Sequence, residues 1–119
     1  MPFKIRDATP DDVEALADYH MSCSAAETET TSAIFSALSH SSRRQILLNL
    51  RVRGGSMTAG EIAQSLSCAW PTTTRHLQIL ESAGLVQVEK NGRGRIYTLD
   101  LELLKRVTLD WLRWFEEGV

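Results

Sequence analysis

The chain has little cysteine, little proline and no long apolar run, and each shortage narrows what it can be. Two cysteines in 119 residues, Cys23 and Cys68, are too few for a disulfide framework and suit a reducing compartment. No apolar stretch approaches the roughly 20 residues of a membrane span, and the first residues lack the pattern of a secretory signal. A cytoplasmic location is expected, with no membrane partner. The three histidines, His20, His40 and His76, fall in three different predicted elements without ligand spacing, so neither metal nor cofactor is expected. No carboxylate pair, Ser/His/Asp set or phosphate-cradling glycine loop stands out, which leaves enzymatic chemistry without a carrier.

What is present is the composition of one ordinary globular domain, 43% hydrophobic and 24% charged, long enough for a modest core. The formal charge of −2 is unevenly spread. Residues 1–40 hold two bases and seven acids, residues 41–97 eight bases and three acids, and residues 98–119 three bases and five acids. A basic middle between acidic ends suits a polyanionic partner; chance segregation of solvated charge is the plainer reading.

The basic middle contains two short helical patterns joined by a tight turn. Thr58 with Glu61 three residues on is a capping box, and Ile62, Ala63 and Leu66 give the first helix its apolar face. Ser67-Cys68-Ala69 is the turn. Pro71 suits the first turn of the second helix, where its missing N–H costs nothing, and Leu77, Leu80 and Ala83 recur at helical spacing. The opposite face carries Thr72, Thr74, Arg75, His76 and Gln78, with no acid. Such groups hydrogen-bond phosphates and base edges in a major groove, and the pair reads as a helix–turn–helix. His76 is read as a phosphate ligand in preference to a helix-packing group.

Upstream, Thr9-Pro10-Asp11-Asp12 starts a helix with an apolar stripe at Val13, Leu16 and Ala17. The opening, Phe3 to Val13, resembles the start of many GNAT-type acetyltransferases over about a tenth of the chain, but neither a glycine-rich acyl-CoA loop nor a multistranded sheet follows, and it is treated as a convergent helix cap. Residues 22–31 are small and polar, a loop or the frayed start of the next helix, which carries Ile34, Phe35 and Leu38 and ends near Ser39-His40. Ser41 or Ser42 starts another, striped by Ile46, Leu47 and Leu50. Arg43 and Arg44 lie in its first turn, the unfavourable end of the helix dipole. A DNA phosphate there would relieve that cost; a solvated pair is the other reading.

Downstream, Gly84 sits where a helix C-cap needs a left-handed residue. Residues 85–90 and 95–99 alternate about Asn91-Gly92-Arg93-Gly94, a β-hairpin. Lys90, Arg93 and Arg95 cluster at its tip. A two-stranded ribbon with a basic tip directly after such a helix is a wing, able to reach phosphates or a minor groove. Asp100 caps a last helix on which Leu101, Leu104, Val107, Trp111, Trp114 and Phe115 crowd one side. That is more apolar surface than one small subunit easily buries, and it predicts a partner surface, most simply a second copy of the chain.

The order of these elements resembles the ArsR/SmtB family of winged-helix repressors over about residues 31–115. The resemblance is carried by Ile34 to Leu48, by Met57-Thr-Ala-Gly-Glu-Ile-Ala63, by Trp70-Pro-Thr-Thr-Thr-Arg-His-Leu-Gln-Ile-Leu-Glu-Ser-Ala-Gly-Leu-Val86 and by Arg95-Ile-Tyr-Thr-Leu99. It implies a mainly α fold with a small hairpin, of about five to six helices and a two-stranded wing, dimerising through its first and last helices. It implies a bacterial regulator that binds double-stranded DNA as a homodimer at an inverted repeat, with contacts from Thr72, Thr74, Arg75, His76, Trp70 and Gln78 and from wing residues Arg93 and Arg95. Thr73 is read as facing the core. The implied dimer interface takes in Val13, Leu16, Leu104, Val107, Trp111, Trp114 and Phe115. As one domain, residues 1–30 form the N-terminal helix and polar segment, 31–99 the DNA-binding core and 100–119 the dimerisation helix.

The chain departs from the family's metal-sensing branches. The first motif helix has no Cys-x-Cys and the last helix no histidine, so metal sensing through either familiar site is not expected. An unknown small-molecule or redox effector is left open, the latter through Cys68 beside a helix N-terminus or through Cys23. The leading reading is a sequence-specific, autoregulatory transcriptional repressor without enzymatic activity. A winged helix that binds protein instead of DNA is the alternative.

Overall fold

The computed structural model describes residues 25–116. The helix expected over residues 10–21, with Val13 and Leu16, lies outside them, as do His20 and Cys23. Within them run α1 (Ala25–Leu38), α2 (Ser41–Val52), β1 (Ser56–Thr58), α3 (Ala59–Ser65), α4 (Trp70–Ser82), β2 (Val86–Asn91), β3 (Gly94–Leu99) and α5 (Leu101–Leu112), closed by a 3₁₀ turn, Arg113–Phe115. The architecture is a winged helix: five α-helices about a small antiparallel sheet.

The expected two-stranded wing is the β2–β3 hairpin, and the sheet gains a third strand, β1. β3 lies between β1 and β2. β1 pairs through Ser56 with Thr98, Met57 with Tyr97 and Thr58 with Ile96. In three residues Met57 alone turns inward, too short a pattern to show as alternation. The β2–β3 hairpin pairs Val86 with Leu99 through to Asn91 with Gly94. Gly92 heads its two-residue turn with φ +62°, and no described non-glycine residue takes positive φ, the arrangement of a type II′ turn.

Several start and stop signals are realised as read. Thr58 Oγ1 accepts from the Glu61 backbone N–H at 3.2 Å, and Glu61 Oε1 accepts from the Thr58 N–H at 3.0 Å. Asp100 Oδ1 accepts from the Leu103 N–H at 3.1 Å, capping α5. Gly84 has φ +82°, and a Cβ there would come within 3.1 Å of Leu103 Cδ2. The polar segment is helical from Ala25 onward. The cap of α2 differs: not a serine but His40, whose Nδ1 accepts from the Ser42 N–H at 3.1 Å.

The core gathers Ile34 from α1, Ile46 and Leu50 from α2, Ile62 from α3, Leu80 from α4, and Leu85 and Val86 entering β2, all essentially solvent-free. Burying each such side chain contributes about 1.5–3 kcal/mol relative to exposure. α5 is divided along its length. Val107, expected at a partner interface, is buried in this core, and Leu103 and Leu104 pack against it. Further on, Leu109, Trp111, Leu112 and Phe115 remain 38–54% exposed.

Candidate nucleic-acid interface

α4 begins at Trp70 with Pro71 in its first turn, and Ala69 gives it no side-chain cap. Its inward face is set by Thr73, His76, Leu77 and Leu80, all buried. Thr73 lies at 1% exposure, its hydroxyl returned to the Ala69 carbonyl at 3.2 Å. That leaves Trp70, Thr72, Thr74, Arg75 and Gln78 on the exposed face. The Thr74 hydroxyl donates to the Trp70 carbonyl at 3.1 Å, which fixes its rotamer and leaves its lone pairs outward. The first acid along the helix is Glu81, in its last turn. Among the described residues, no hydrogen bond or ion pair engages the Arg75 guanidinium.

The wing tip behaves in the same way. Lys90, Arg93 and Arg95 are exposed, and no described carboxylate or carbonyl holds any of them. Lys90 and Arg95 are cross-strand partners. Like charges directly opposite on a ribbon are unfavourable, so the tip carries a concentrated positive charge that a polyanion would relieve. α3 is oriented behind α4 by a polar chain from α2. The Gln45 amide donates to Asn49 Oδ1 at 2.8 Å, Asn49 Nδ2 to Ser65 Oγ at 3.0 Å, and Ser65 to the Ile62 carbonyl at 2.7 Å. None of these side chains is singled out by the sequence; the i, i+4 spacing of Gln45 and Asn49 on α2 is the signal for the first link.

Arg43, Arg44 and His76 are placed otherwise than expected. The cations in the first turn of α2 reach back to carbonyls at the C-terminus of α1. Arg43 Nε donates to the Ala37 carbonyl at 2.7 Å and Nη2 to that of Ser36 at 3.3 Å. Arg44 Nη1 donates to the Leu38 carbonyl at 2.6 Å. A guanidinium is well placed at the negative end of a helix, so α1 offsets the cost at the start of α2. His76, expected on the DNA face, is 6% exposed. Its ring lies 4.5 Å from that of His40, and its Nδ1 is 3.3 Å from Arg43 Nη1. A guanidinium can only donate, so Nδ1 accepts and the ring proton sits on Nε2. Burial, joined by the charges of His40, Arg43 and Arg75, lowers the His76 pKa below its ordinary value, which keeps that acceptor neutral.

On α5, Trp111 meets Phe35 of α1 edge-on at 5.3 Å and Phe115 at 4.7 Å. Trp114 is half-buried. The aromatic cluster therefore joins α1 to the end of α5 while keeping an open apolar flank. Cys68 is half-buried in the turn before α4 and is a free thiol. Among the described residues, no group of three metal-ligating side chains comes together, and no helix is long and apolar enough to cross a membrane.

Comparison with known proteins agrees with this geometry. Residues 38–89 match a family model described as a helix-turn-helix domain. The transcriptional repressor SdpR of Bacillus subtilis is 34% identical over 79 residues, covering 66% of this chain and 84% of that protein. The crystal structure of an ArsR family transcriptional regulator superposes with a TM-score of 0.65 at 31% identity, covering 72% of this chain and 86% of that one. A homodimeric winged helix-turn-helix DNA-binding domain from Mycobacterium bovis shares the fold, with a TM-score of 0.59 at 23% identity over 91% of this chain and 89% of that one. The chain belongs to the ArsR/SmtB family of winged helix–turn–helix transcriptional regulators.

Proposed function

We propose that this protein is a repressor that binds an inverted-repeat operator as a homodimer, with α4 in the major groove and the β2–β3 tip on the flanking backbone. The observation that carries the reading is the exposed face of α4 from Trp70 to Gln78, acid-free over Trp70, Thr72, Thr74, Arg75 and Gln78, on a helix whose other face is locked into the core. Arg75 has the donors to read guanine, and Gln78 those to read adenine. Lys90, Arg93 and Arg95 supply phosphate contacts, which carry affinity without sequence information. Two copies would present α4 to successive major grooves about 34 Å apart. The exposed flank of α5, Leu109, Trp111, Leu112 and Phe115, is the dimer surface in this reading, and residues 100–119 its dimerisation element.

The test is fluorescence anisotropy on DNA from upstream of the protein's own gene, against a scrambled duplex, over a salt series, with sedimentation to count subunits. Sequence-dependent binding with a steep salt slope and a dimer-sized species is the expected result. No binding to either duplex at low salt would overturn it.

A further inference from the structure

The C-terminus of α1, the N-terminus of α2 and the second turn of α4 meet at three side chains. Arg43 has three of its guanidinium nitrogens engaged, two by α1 carbonyls and one by His76 of α4. His76 is one turn below Thr72 and directly follows Arg75, so the position of its ring sets the roll of the helix that presents both. His40 lies against the His76 ring and caps α2. This is a joint between the helix pair and the recognition helix, made of polar contacts at the half-buried edge of the core around the buried His76 ring, where a bond left unmade by a buried partner is costly.

We propose that Arg43 is a positioning residue for operator recognition, acting through His76 to fix the orientation of α4, and that it makes no phosphate contact of its own. The proposal rests on the DNA-binding reading above. Its consequence for specificity is direct. A phosphate ligand contributes to every duplex alike, whereas a residue that sets the roll of α4 affects only the duplex whose base edges the helix must match. Its consequence for pH is equally direct. The charged and titratable groups acting on His76 are His40, Arg43 and Arg75, and none is acidic. A proton arriving at Nδ1 would remove the acceptor that Arg43 uses and place a cation 3.3 Å from the guanidinium. Acidification should therefore loosen specific binding, against the general tendency of added positive charge to tighten DNA binding.

The experiment uses the full chain, a duplex selected by the wild-type protein from a randomised pool, and a scrambled duplex of equal length. Arg43→Lys keeps the charge but cannot form the three-way tie. It is expected to lose at least fivefold in affinity for the selected duplex, with affinity for the scrambled duplex and the salt slope unchanged. His76→Asn places an amide oxygen where Nδ1 stood and cannot titrate. It is expected to bind the selected duplex within about twofold of wild type at pH 7.5. It should also lack most of the several-fold weakening that wild type shows at pH 5.5. His40→Asn, which still caps α2, should retain that weakening. If Arg43→Lys is unfolded at the assay temperature, the His76→Asn and His40→Asn pH profiles decide.

Equal loss on both duplexes in an Arg43→Gln variant, with the salt slope reduced by about one, would make Arg43 a phosphate ligand and overturn the proposal. So would a His76→Asn profile that matches wild type. Failure of wild type to bind any duplex would instead sink the DNA-binding reading, and this proposal with it.

Discussion

Two groups of arginines lie in the same basic stretch of the chain and do different things. At the α1–α2 corner, Arg43 and Arg44 donate to the backbone carbonyls that end α1. On α4 and the wing, Arg75, Arg93 and Arg95 have no described partner and stand exposed. The first group is held by the fold; the second is available to a ligand. Net charge counts both alike, and so overstates the field the protein can offer a polyanion. What separates them is local: the first group follows a helix end whose last carbonyls have no partner within the helix, and the second follows a helix N-terminus or a tight turn, where carbonyls are already paired.

The sharpest way to break the comparison is Arg75→Ala. Its side chain holds nothing in the fold, so thermal unfolding should be unchanged within about 0.5 kcal/mol. Affinity for the selected duplex should fall by about 1–3 kcal/mol, roughly 5- to 150-fold, with preference relaxed at one base pair of each half-site. A variant equally stable and equally specific would move Arg75 out of the available group.

The wing arginines should show a smaller and less selective effect. Arg93→Gln and Arg95→Gln are each expected to weaken selected and scrambled duplexes alike and to lower the salt slope by about one. Measured together on a salt series, they distinguish phosphate contacts from base readout. A loss confined to the selected duplex would show that the tip reads sequence or groove shape instead.

At the corner, the expected signature is in stability. His76 titrates lower in the fold than in the unfolded chain, so the unfolded state binds the proton first. The stability that the neutral ring contributes is present above the unfolded value of about 6.5 and is lost as pH falls through the lowered folded value. Melting of wild type should therefore drop between pH 7.5 and 5.5 by more than that of His76→Asn. Identical drops would place the acid-sensitive group elsewhere.

How much of this was legible depends on how local the cause is. The Thr58–Glu61 capping box, the Asp100 cap, the left-handed Gly84 and the hairpin turn lie within a few residues of their partners, and spacing alone shows them. β1 does not show, because its pairing joins Ser56 to Thr98 across the chain, and three residues carry no periodicity. His76 was legible in principle: with Thr73, Leu77 and Leu80 it occupies i, i+3, i+4 and i+7, the phase of the buried stripe. Its polar ring drew attention to DNA, while the helical phase placed it inside. Val107 is similar. It shares a stripe with Trp111, yet the core ends between them, and only the packing of α1 and α2 fixes that point. The carbonyl partners of Arg43 lie six and seven residues back across a helix corner, a contact that depends on the angle between α1 and α2, and its third partner, His76, lies on α4.

Arg44 tests the border between the two groups. It makes one hydrogen bond, 2.6 Å to the Leu38 carbonyl, and is otherwise exposed. A cation at the C-terminal end of a helix contributes about 0.3–1 kcal/mol when exposed, so Arg44→Ala should cost roughly 0.5 kcal/mol of stability, about 2 °C in melting. Its guanidinium is drawn back over α1, so the salt slope for DNA should not change. A slope reduced by about one, with stability unchanged, would move Arg44 to the available group and extend the DNA footprint to the start of α2. It would also show that a single exposed carbonyl does not hold an arginine against a phosphate, leaving the difference between the two groups to the several contacts that Arg43 makes at once.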